Sequence, residues 1–397
     1  MKILQVNKFL YLKGGSETYM FELSNALKER GHEIDFWGME DEKNIIEDTY
    51  GSFVRNIDFS TLGLLGKIFN TFSTIYSLEA KRKIAIILDK FKPDIVHIHN
   101  FNFQLTSSIL LEIKKRGIKI VYTAHDSQLV CPYHRLYNFQ RDKICTKCID
   151  GQFSNCIKDR CFDASLIKSS VGAMESYLYH GLNYYNKYID EIISPSKFLA
   201  KKLNHLYKKE IHIIPNFVEL NVDSIEKKED FLLYFGRISK EKGIIDILSF
   251  FEDNKIVLKI IGNGPEVENI IESEYIEYLG LKYGDELFEY IQRAKFVIQP
   301  SKWYENCPMT IVESFACSTP VIGSKHSGFL ELINDGENGF LIDFERENFD
   351  KNLLKSINEY DDSFSKASKE SYINYYTQEV HIPRVINIYK KVLNESI

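Results

Sequence analysis

The hydrophobic positions of this chain follow two alternating patterns, short continuous apolar runs and longer stretches with helical spacing. Residues 2–9 (KILQVNKF) form an apolar run typical of a buried strand. The stretch 17–30 then carries Met20, Leu23 and Leu27 at helical spacing, and HEIDFWG supplies a further strand. A strand, a glycine-containing loop, a helix and a second strand make up the repeating unit of a parallel α/β sheet.

The same pattern restarts in the second half of the chain. After the charged segment 226–230 (EKKED), the run 231–237 (FLLYFGR) predicts a new first strand, and KIVLKIIGNGPE repeats the strand–glycine–helix order. The tail from about Tyr372 has helical spacing. Two successive α/β halves predict two Rossmann-like domains with parallel sheets that face each other across a cleft. We place the N-terminal domain at 1–205 plus 378–397 and the C-terminal domain at 206–377.

Composition and charge narrow the class of protein. The 397 residues suffice for two domains, and 44% hydrophobic with 27% charged residues is typical of a soluble globular chain. A formal net charge of −6 argues against broad nucleic-acid binding. The chain passes from Lys2 straight into a strand without a secretory signal, and no apolar stretch reaches the roughly 18 residues that span a membrane. We therefore expect a cytoplasmic protein.

Residues 60–92 predict a mildly amphipathic helix. Lys67 and the run Lys81-Arg82-Lys83 stand there among Leu, Ile and Phe side chains. An ordinary surface helix is the favoured interpretation. The alternative is a membrane-surface face that meets a lipid-linked acceptor, which would add peripheral contact with the inner face of the cell membrane.

Histidines mark two of the predicted strands. The strand 93–101 carries His97 and His99 on one face, and because no third metal ligand is evident nearby, satisfied interior histidines are favoured over a metal site. His125 instead falls at the carboxyl end of the buried strand 119–126. Open parallel sheets bind their ligands at that edge. His125 is therefore a candidate partner for a substrate hydroxyl or a developing charge.

Five of the seven cysteines lie in one insert, 131–161. Without a secretory signal, cysteines are more typically reduced thiols or metal ligands than disulfides. The C-x-x-C pair, followed by a second pair of cysteines, has the spacing of a closed tetrahedral zinc site that stabilises a loop. Small buried thiols or a redox-labile loop are the alternatives. The predicted zinc ligands are Cys145, Cys148, Cys156 and Cys161, with Cys131 as a substitute.

Residue types suited to phosphate follow the first strand of each half. Gly14 and Gly15 allow a close backbone approach to a ligand, unless they only make a tight turn. Arg237 ends the strand 231–237, and Lys242 opens the following helix. Two cations beside a helix N-terminus can hold a diphosphate and stabilise it as it leaves, although solvated surface charges are the alternative.

The stretch 295–323 has two carboxylates around a predicted helix start. Pro308 is expected as the first helical residue, because its missing N–H would have no partner there. Glu305 lies just outside the helix, and Glu313 lies about 7 Å along its axis. The helix N-terminus between them is a natural seat for phosphate, and the carboxylates suit hydroxyl groups at either side. The pattern predicts a nucleotide-sugar site.

These motifs together carry a family resemblance. Glu305-x7-Glu313, GR-x4-KG at 236–243, the Gly14-Gly15-x-Glu17 loop and the histidine strand resemble the family 4 glycosyltransferases of GT-B fold, over nearly the whole chain. The cysteine insert, with IISPSKFLAKKL and IIPNFVE after it, looks like the bacterial capsule, O-antigen and exopolysaccharide members. The resemblance implies retaining, metal-independent transfer from a nucleotide-diphosphate sugar, UDP-sugar favoured, to a lipid-linked or glycan acceptor. It also implies no cofactor for catalysis and a C-terminal helix that crosses back to the N-terminal domain.

The resemblance assigns the donor-sugar contacts to the loop before the helix. It implies that Glu305 binds the 3- or 4-hydroxyl of the sugar, helped by backbone N–H groups from Asn306 to Met309. Many relatives have E-G-F-G at this point, whereas this chain has Glu305-Asn306-Cys307-Pro308. Because Pro308 lacks a backbone donor, the choice of sugar hydroxyls departs from the family pattern here.

The remaining implied roles divide between the nucleotide and the sugar. The resemblance implies that Glu313 binds the ribose hydroxyls, that Arg237 and Lys242 bind the diphosphate, and that residues near Leu281 contact the base. It also implies that Gly15 contacts the phosphate side and that His125 meets the 6-hydroxyl region of the sugar.

Two other functions are compatible with such a fold. A nucleotide-sugar 2-epimerase lacks support, since no acidic set around a C2 position is apparent and the E-x7-E order favours transfer. A non-catalytic nucleotide-sugar-binding protein would keep the binding residues without turnover.

Overall fold

The computed structural model of the chain describes residues 1–56, 73–220 and 227–394. The chain divides into two compact units. The first comprises Met1–Gln140, Cys145–Ile214 and Ile382–Ile397, and the second comprises Arg141–Ile144 and Pro215–His381. The domain limits expected from the sequence, 205/206 and 377/378, lie close to these divisions along the chain.

The first unit is built on a parallel sheet. The strands in this half of the chain are β1 (Lys2–Asn7), β2 (Glu33–Trp37), β3 (Ile95–Asn100), β4 (Lys119–Thr123), β5 (Tyr137–Asn138), β6 (Lys143–Ile144), β7 (Glu191–Ser194) and β8 (Ile211–Ile213). Apart from the two-residue strands β5 and β6, they form one six-stranded sheet in the order β2-β1-β3-β4-β7-β8, with parallel pairing throughout. Ile3, Leu4 and Val6 of β1 are completely buried, as expected for a parallel strand covered on both faces.

Seven helices of this half of the chain lie within the described ranges. They are α1 (Gly15–Glu29), α2 (Leu78–Phe91), α3 (Ser108–Lys114), α4 (Ser154–Lys158), α5 (Leu166–Gly181), α6 (Tyr184–Tyr188) and α7 (Lys197–Leu203). Gly31, with φ +81°, follows α1 in the left-handed conformation that ends many helices.

The helix predicted over 60–92 is described only in its second part, as α2, and Lys67 lies outside the described residues. Ile84 and Ile87 are among its buried residues, whereas Leu78 and Ile86 are exposed. Lys81 Nζ donates to Tyr76 Oη (2.8 Å), and Lys83 Nζ donates to the Gly51 carbonyl (2.6 Å). Helix α2 thus exists as predicted, and its role as an ordinary surface helix stays a prediction.

The second unit repeats the architecture. Its strands are β9 (Glu229–Arg237), β10 (Leu258–Asn263), β11 (Ile276–Tyr278), β12 (Ala294–Gln299), β13 (Val321–Ser324) and β14 (Gly339–Ile342). They form a parallel sheet in the order β11-β10-β9-β12-β13-β14, and apolar clusters centred on residues such as Leu233 and Tyr234 cover its two faces. The α-helices are α8 (Leu248–Asn254), α9 (Gly284–Arg293), α10 (Met309–Ala316), α11 (Phe329–Leu332), α12 (Phe349–Asn358) and α13 (Asp362–Tyr375), and 3₁₀ turns span Lys240–Lys242, Ile245–Ile247 and Val267–Asn269.

The last helix, α14 (Gln378–Leu393), returns to the first unit from Ile382 onwards, as the sequence predicted. Tyr389 is completely buried there, and its hydroxyl bonds His97 Nδ1 at 2.6 Å. None of the helices in the described ranges is long and apolar enough to cross a membrane.

Candidate functional site

The strand order of the second sheet reverses between β9 and β12. Strands added after β9 extend the sheet on one side through β10, whereas β12 starts the other side. Such a switch point leaves a crevice beyond the carboxyl ends of the two strands, where ligands of open parallel sheets bind. The loop after β9 contains Lys242, and the loop after β12 contains Glu305. Residues far apart in sequence therefore meet at this edge.

Three side-chain donors converge on Glu305. Lys242 Nζ and Trp303 Nε1 both donate to its Oε1 at 2.6 Å, and Ser301 Oγ donates to the same oxygen at 3.0 Å. The Glu305 side chain is only 12% exposed and that of Lys242 20%. Lys242 Nζ also lies 5.4 Å from the centroid of the Trp303 ring. Glu305 is held in one position by this set of donors.

Burial raises the pKa of the Glu305 carboxyl, but the charge of Lys242 and the hydrogen bonds from Lys242, Trp303 and Ser301 outweigh it. The net pKa lies below its ordinary value. Glu305 is accordingly an ionised hydrogen-bond acceptor at neutral pH. The sequence predicted Lys242 and Glu305 as separate binding groups, and in the structure they form one ion pair.

Residues that sequence reasoning missed support the Glu305 loop. The Glu305 N–H donates to Ser327 Oγ at 3.1 Å, and the Gly328 N–H donates to the Glu305 carbonyl at 2.9 Å. A Cβ on Gly328 would stand 1.7 Å from the Asn306 carbonyl oxygen, so only glycine fits here. His326 bonds Ser327 Oγ through Nδ1 (3.1 Å) and the Ser301 carbonyl through Nε2 (2.9 Å). No short motif marks this segment in the sequence.

Gly243 secures the other side of the ion pair. Its φ is +73°, and a Cβ would lie 2.2 Å from the Pro300 carbonyl oxygen. The Lys302 N–H donates to the Glu241 carbonyl at 2.9 Å, which joins the two loops again. The glycine after Lys242 thus permits the close approach of the loops that brings Lys242 to Glu305.

The helix beside this loop, α10, begins one residue later than predicted. Pro308 has ψ 125°, an extended conformation, so it is the N-cap and Met309 is the first helical residue. The cap carries no side-chain hydrogen bond. The prediction that Pro308 is the first helical residue was therefore wrong, because the chain is still extended at the proline. The first backbone N–H groups of α10 lack partners within the helix.

The segment Asn306–Met309 is anchored by its backbone. The Cys307 carbonyl accepts a hydrogen bond from Asn216 Nδ2 at 2.8 Å, and the Cys307 side chain is buried. Met309 is partly buried against the core under the sheet. The conformation of the segment is thus set by contacts on the side of the core.

Glu313 lies in the second turn of α10, and burial raises its pKa to about 7. In the described ranges, its carboxyl group makes no ion pair. Glu313 is partly exposed, and a carboxyl group that has lost part of its water can regain hydrogen bonds from the hydroxyl groups of a ligand.

Arg237 and Leu281 complete the predicted residues of this unit. Arg237 is exposed at the end of β9, and its guanidinium makes no ion pair within 1–56, 73–220 and 227–394. Its carbonyl accepts from Tyr234 Oη at 2.6 Å. Leu281 is 50% exposed beyond β11, next to Gly280, whose φ is +70°.

In the first unit, the glycine loop leads directly into α1. Gly14 is the N-cap residue, with an extended backbone, and Gly15 begins the helix. Both glycines are exposed, whereas Glu17 is buried and accepts from Asn7 Nδ2 at 3.0 Å. The loop is therefore tied to the end of β1, and the backbone of the glycines faces solvent.

His125 is linked to the strand histidines. His99 Nε2 bonds Gln5 Oε1 at 2.8 Å, and His99 Nδ1 bonds His125 Nε2 at 3.0 Å. A carboxamide oxygen only accepts, so His99 carries its proton on Nε2 and accepts from His125 at Nδ1. Burial lowers the pKa of His125 to about 3 and that of His99 well below its usual value, so both are neutral. The acceptor nitrogen of His125 is then Nδ1.

His97 is a satisfied interior residue, as predicted. It bonds Tyr389 Oη at 2.6 Å through Nδ1 and Thr123 Oγ1 at 2.7 Å through Nε2. His99 is also satisfied and completely buried. Its contact with His125 shows, however, that the interior histidines and the candidate site residue belong to one network.

The cysteines of the insert gather around a small apolar core. Cys148 and Cys156 are buried with Phe153 and Ala173, and Cys161 packs against them. Hydrogen bonding between Cys156 and Cys161 raises the pKa of Cys156 and lowers that of Cys161. In the part of the chain that the structure describes, no three His, Cys, Asp or Glu side chains are arranged to hold a metal ion. The zinc site stays a prediction, and the thiols are free in this arrangement.

Two successive six-stranded parallel sheets are the framework of the GT-B fold. The structure of Anabaena HepE in complex with UDP-glucose is similar, with a TM-score of 0.67 at 14% identity, and the match covers 98% of this chain and 100% of that one. At this identity, the likeness establishes the fold.

Family models cover most of the chain. The model of Glycosyltransferase Family 4 matches residues 13–222, and that of Glycosyl transferases group 1 matches residues 219–373. The chain belongs to glycosyltransferase family 4.

Individual relatives are distant. An uncharacterized glycosyltransferase of Methanocaldococcus jannaschii is 30% identical over 203 residues, which are 49% of this chain and 56% of that relative. The chain thus spans little more than half the length of this relative. An uncharacterized 42.6 kDa protein in the cps region of Klebsiella pneumoniae is 24% identical over 84% of this chain and 87% of that protein.

Proposed function

We propose that this protein is a retaining, metal-independent glycosyltransferase that uses a nucleotide-diphosphate sugar. The donor is a UDP-sugar, and the acceptor is lipid-linked or a glycan of a bacterial surface polysaccharide. The observation that carries the proposal is the Glu305 cluster, in which an ionised, mostly buried acceptor with a side chain 12% exposed is held beside a helix start at a sheet switch point. The UDP-glucose bound to HepE and the cps-region location of the Klebsiella protein support the choice of donor and pathway class.

Donor recognition follows from the chemistry of the two carboxyl groups. Glu305 accepts a hydrogen bond from the 3- or 4-hydroxyl of the sugar, and the segment Asn306–Met309 supplies backbone contacts. Glu313 takes the ribose hydroxyls, whose hydrogen bonds favour its ionised form against the burial that disfavours it. The side chain of Leu281 is exposed at 50% and is available for the base.

Lys242 serves both Glu305 and the diphosphate. Its ammonium group has three N–H donors, and the ion pair with Glu305 uses one of them. Two donors are left for phosphate oxygens, together with the guanidinium of Arg237 and the first N–H groups of α10. The ion pair thus orients Lys242 toward the diphosphate and does not withdraw it from the reaction.

The reaction is a front-face displacement at the anomeric carbon. The acceptor hydroxyl oxygen forms the new bond as the bond from carbon to the diphosphate oxygen breaks, and the leaving diphosphate accepts the hydroxyl proton. Negative charge therefore develops on the diphosphate, where Arg237, Lys242 and the helix dipole stabilise it. Glu305 and Glu313 orient the donor and take no proton.

His125 and the glycine loop act from the first unit. Neutral His125, whose Nε2 bonds His99 Nδ1, lies beside the 6-hydroxyl region of the sugar in this proposal. It contributes position and polarity without a positive charge. Gly14 and Gly15 present exposed backbone to the phosphate side of the donor.

Turnover of Arg237→Ala and Lys242→Ala tests the proposal. Each substitution should lower turnover by about 10²-fold or more, the scale of one preorganised electrostatic contact. Lys240→Ala is the matched control, since Lys240 lies two residues before Lys242 and its side chain is 57% exposed. Near-normal turnover in both site variants, or an EDTA-sensitive activity that a divalent metal restores, would refute the assignment.

An assay of hydrolysis and transfer with several UDP- and GDP-sugars separates the alternatives. Transfer to an added acceptor supports the proposal. Conversion of the free nucleotide sugar to its C2 epimer would instead indicate the 2-epimerase, and binding without turnover would indicate a non-catalytic binding protein.

Peripheral contact with a membrane belongs to the same proposal. Helix α5 and its C-cap residue expose apolar side chains at helical spacing, namely Ile167, Met174 and Leu178 in the helix and Leu182 at the cap. A transferase that acts on a lipid-linked acceptor meets it at the bilayer surface, and an exposed apolar helix face suits that position. Co-sedimentation with anionic vesicles should fall in Ile167→Ser/Leu182→Ser relative to the unchanged chain, and equal sedimentation would contradict the contact.

A further inference from the structure

The first sheet has its own switch point, between β1 and β3, and a group of cations and aromatic rings lies in the loops beyond it. Strand β1 runs to Asn7, and the order β2-β1-β3-β4 places the loops after β1, β3 and β4 at one edge. These loops carry Lys8, Phe9 and Lys13, then Phe103, and then His134. We call these five residues the Lys8 pocket.

The cations of the Lys8 pocket share aromatic faces. Lys8 Nζ lies 4.7 Å from the centroid of the Phe103 ring and 5.1 Å from that of Phe9. Lys13 Nζ lies 3.4 Å from the centroid of the same Phe9 ring. The rings of Phe103 and His134 are 5.7 Å apart. Two ammonium groups are therefore held near one ring, although their charges repel each other.

Lys8 has an unusual electrostatic environment. Burial and, to a smaller extent, the charge of Lys13 together lower the pKa of Lys8 to about 8, and no carboxylate raises it. A desolvated ammonium without a counter-ion is costly. Among the acidic groups of this edge, Glu17 bonds Asn7 and interacts electrostatically with Lys13, and Asp126 faces Arg135 and accepts from the Gln128 N–H. None of these interactions involves the ammonium group of Lys8.

The loops around the pocket are strained and contain unsatisfied polar atoms. Phe103 (φ 56°) and His134 (φ 65°) are in the left-handed region, which such bulky residues rarely adopt. Strain of this kind concentrates at ligand sites. Gln104 Oε1 and Gln128 Oε1, in the same two loops, are buried with no hydrogen-bond partner among the described residues. They suit hydroxyl donors of a ligand that lies beside the aromatic rings.

We propose that the Lys8 pocket binds a phosphate or diphosphate group carried by the acceptor substrate. The idea rests on the proposed glycosyltransferase function and specifies its acceptor as an anionic one. A phosphate group offers several acceptor oxygens and more than one negative charge, which match two adjacent ammonium groups. The rings of Phe9 and Phe103 cover the apolar part of the ligand.

Binding of inorganic pyrophosphate to the full chain, with UDP kept at saturation, tests the pocket. Saturation with UDP occupies the donor site, so that calorimetric titration measures binding elsewhere. The unchanged chain should bind pyrophosphate, and Lys8→Met should weaken binding about tenfold or more, the scale of a lost charge-assisted contact. Lys8→Arg should restore most of it. Lys28→Met is the matched control, because Lys28 Nζ also lies over a phenylalanine ring, that of Phe36, at 5.3 Å.

The UDP affinity of each variant separates this proposal from the proposed function. An unchanged UDP affinity in Lys8→Met, together with lost pyrophosphate binding, supports an acceptor-side pocket. Reduced UDP affinity in Lys8→Met would assign Lys8 to the donor and overturn the proposal. Absence of pyrophosphate binding in the unchanged chain, or equal binding by Lys8→Met, would overturn it as well. Failure of UDP binding in the unchanged chain would instead contradict the proposed function.

Two further probes identify the source of the anion. Geranyl diphosphate that binds more tightly than pyrophosphate indicates a lipid-linked diphosphate, whereas equal binding of the two indicates a phosphate within a glycan. Glucuronate tests a carboxylate-bearing acceptor. Binding of glucuronate without binding of either phosphate compound would overturn the proposal.

Discussion

The ion pair between Lys242 and Glu305 allows the sharpest prediction. Lys242→Met keeps a side chain of similar length but removes the ammonium group, and Glu305 then keeps only the hydrogen bonds from Trp303 and Ser301. Removal of one partner from a buried ion pair costs about 3–5 kcal/mol. The two side chains are 12% and 20% exposed, so some access to water reduces the expected loss of unfolding free energy to about 2–3 kcal/mol.

The loss should depend on pH in a defined direction. In the unchanged protein, the pKa of Glu305 is below its ordinary value, so its contribution to stability is present above the unfolded-state pKa and is lost as pH falls. In Lys242→Met, the positive charge that opposes the effect of burial is absent, so the pKa of Glu305 rises. Its contribution is then present below the unfolded-state pKa and is lost as pH rises. The difference between the two proteins should therefore be large near neutral pH and shrink in acid.

The two tryptophans of the chain provide the assay. Trp37 is in the first unit and Trp303 in the second, so urea unfolding in a Trp37→Phe background reports the second unit through Trp303 fluorescence. The double variant Lys242→Met/Glu305→Gln should recover most of the stability, because no unpaired charge is left, while turnover stays low. Lys240→Met should resemble the unchanged protein. A loss that is the same at acidic and neutral pH would refute the reasoning.

Four other outcomes follow from the geometry. Glu313→Gln should weaken UDP binding about tenfold. Because burial raises the pKa of Glu313 to about 7, the stability that its neutral form contributes is lost as pH rises, and Glu313→Gln should be more stable than the unchanged protein at alkaline pH. Equal stability of the two proteins at alkaline pH would contradict the raised pKa. His99→Leu removes the acceptor that fixes the tautomer of His125, so kcat should fall about tenfold while the UDP affinity is unchanged. A tenfold loss corresponds to one hydrogen bond of about 1.4 kcal/mol. A parallel loss of kcat and UDP affinity would indicate that His99 has only a structural role. Gly328→Ala should abolish turnover, since the new methyl group would displace the Asn306 carbonyl, whereas a Gly181→Ala control, at a glycine with no atom within 4 Å of its Cβ position and no positive φ, should keep it. Metal analysis of protein purified without chelator should find about one zinc per chain if the cysteine cluster is a zinc site, and absent zinc with normally titrating thiols would end that prediction.

Most of the fold could be predicted because the alternation of apolar runs and amphipathic stretches has a direct physical cause. Parallel strands covered on both faces require continuous apolar runs, and β1 and β12 have them. The position of Pro308 was predicted less well. Proline suits both the first helical residue and the extended residue before it, and the sequence does not distinguish these two conformations.

The candidate site was predicted as a set of residues but not as a set of contacts. Glu305 and Lys242 were both identified, yet their ion pair depends on β9 and β12 being neighbours, which no local pattern encodes. Ser327 and Gly328 were missed for the same reason, since they reach Glu305 from another loop. The link from His99 to His125 arises from the pairing of β3 with β4, so an interior histidine turned out to contact a candidate site residue.

The internal pairing of Lys242 with Glu305 also has a kinetic consequence. The two charges cancel each other at a distance, so Arg237 supplies the excess positive charge that a donor diphosphate meets on approach. The Lys8 pocket presents Lys8 without a carboxylate, whereas Glu17 offsets part of the charge of Lys13. Ionic strength weakens long-range attraction according to the net charge of a surface. The association rates of the nucleotide sugar and of a phosphate-bearing acceptor should therefore both fall as the salt concentration rises.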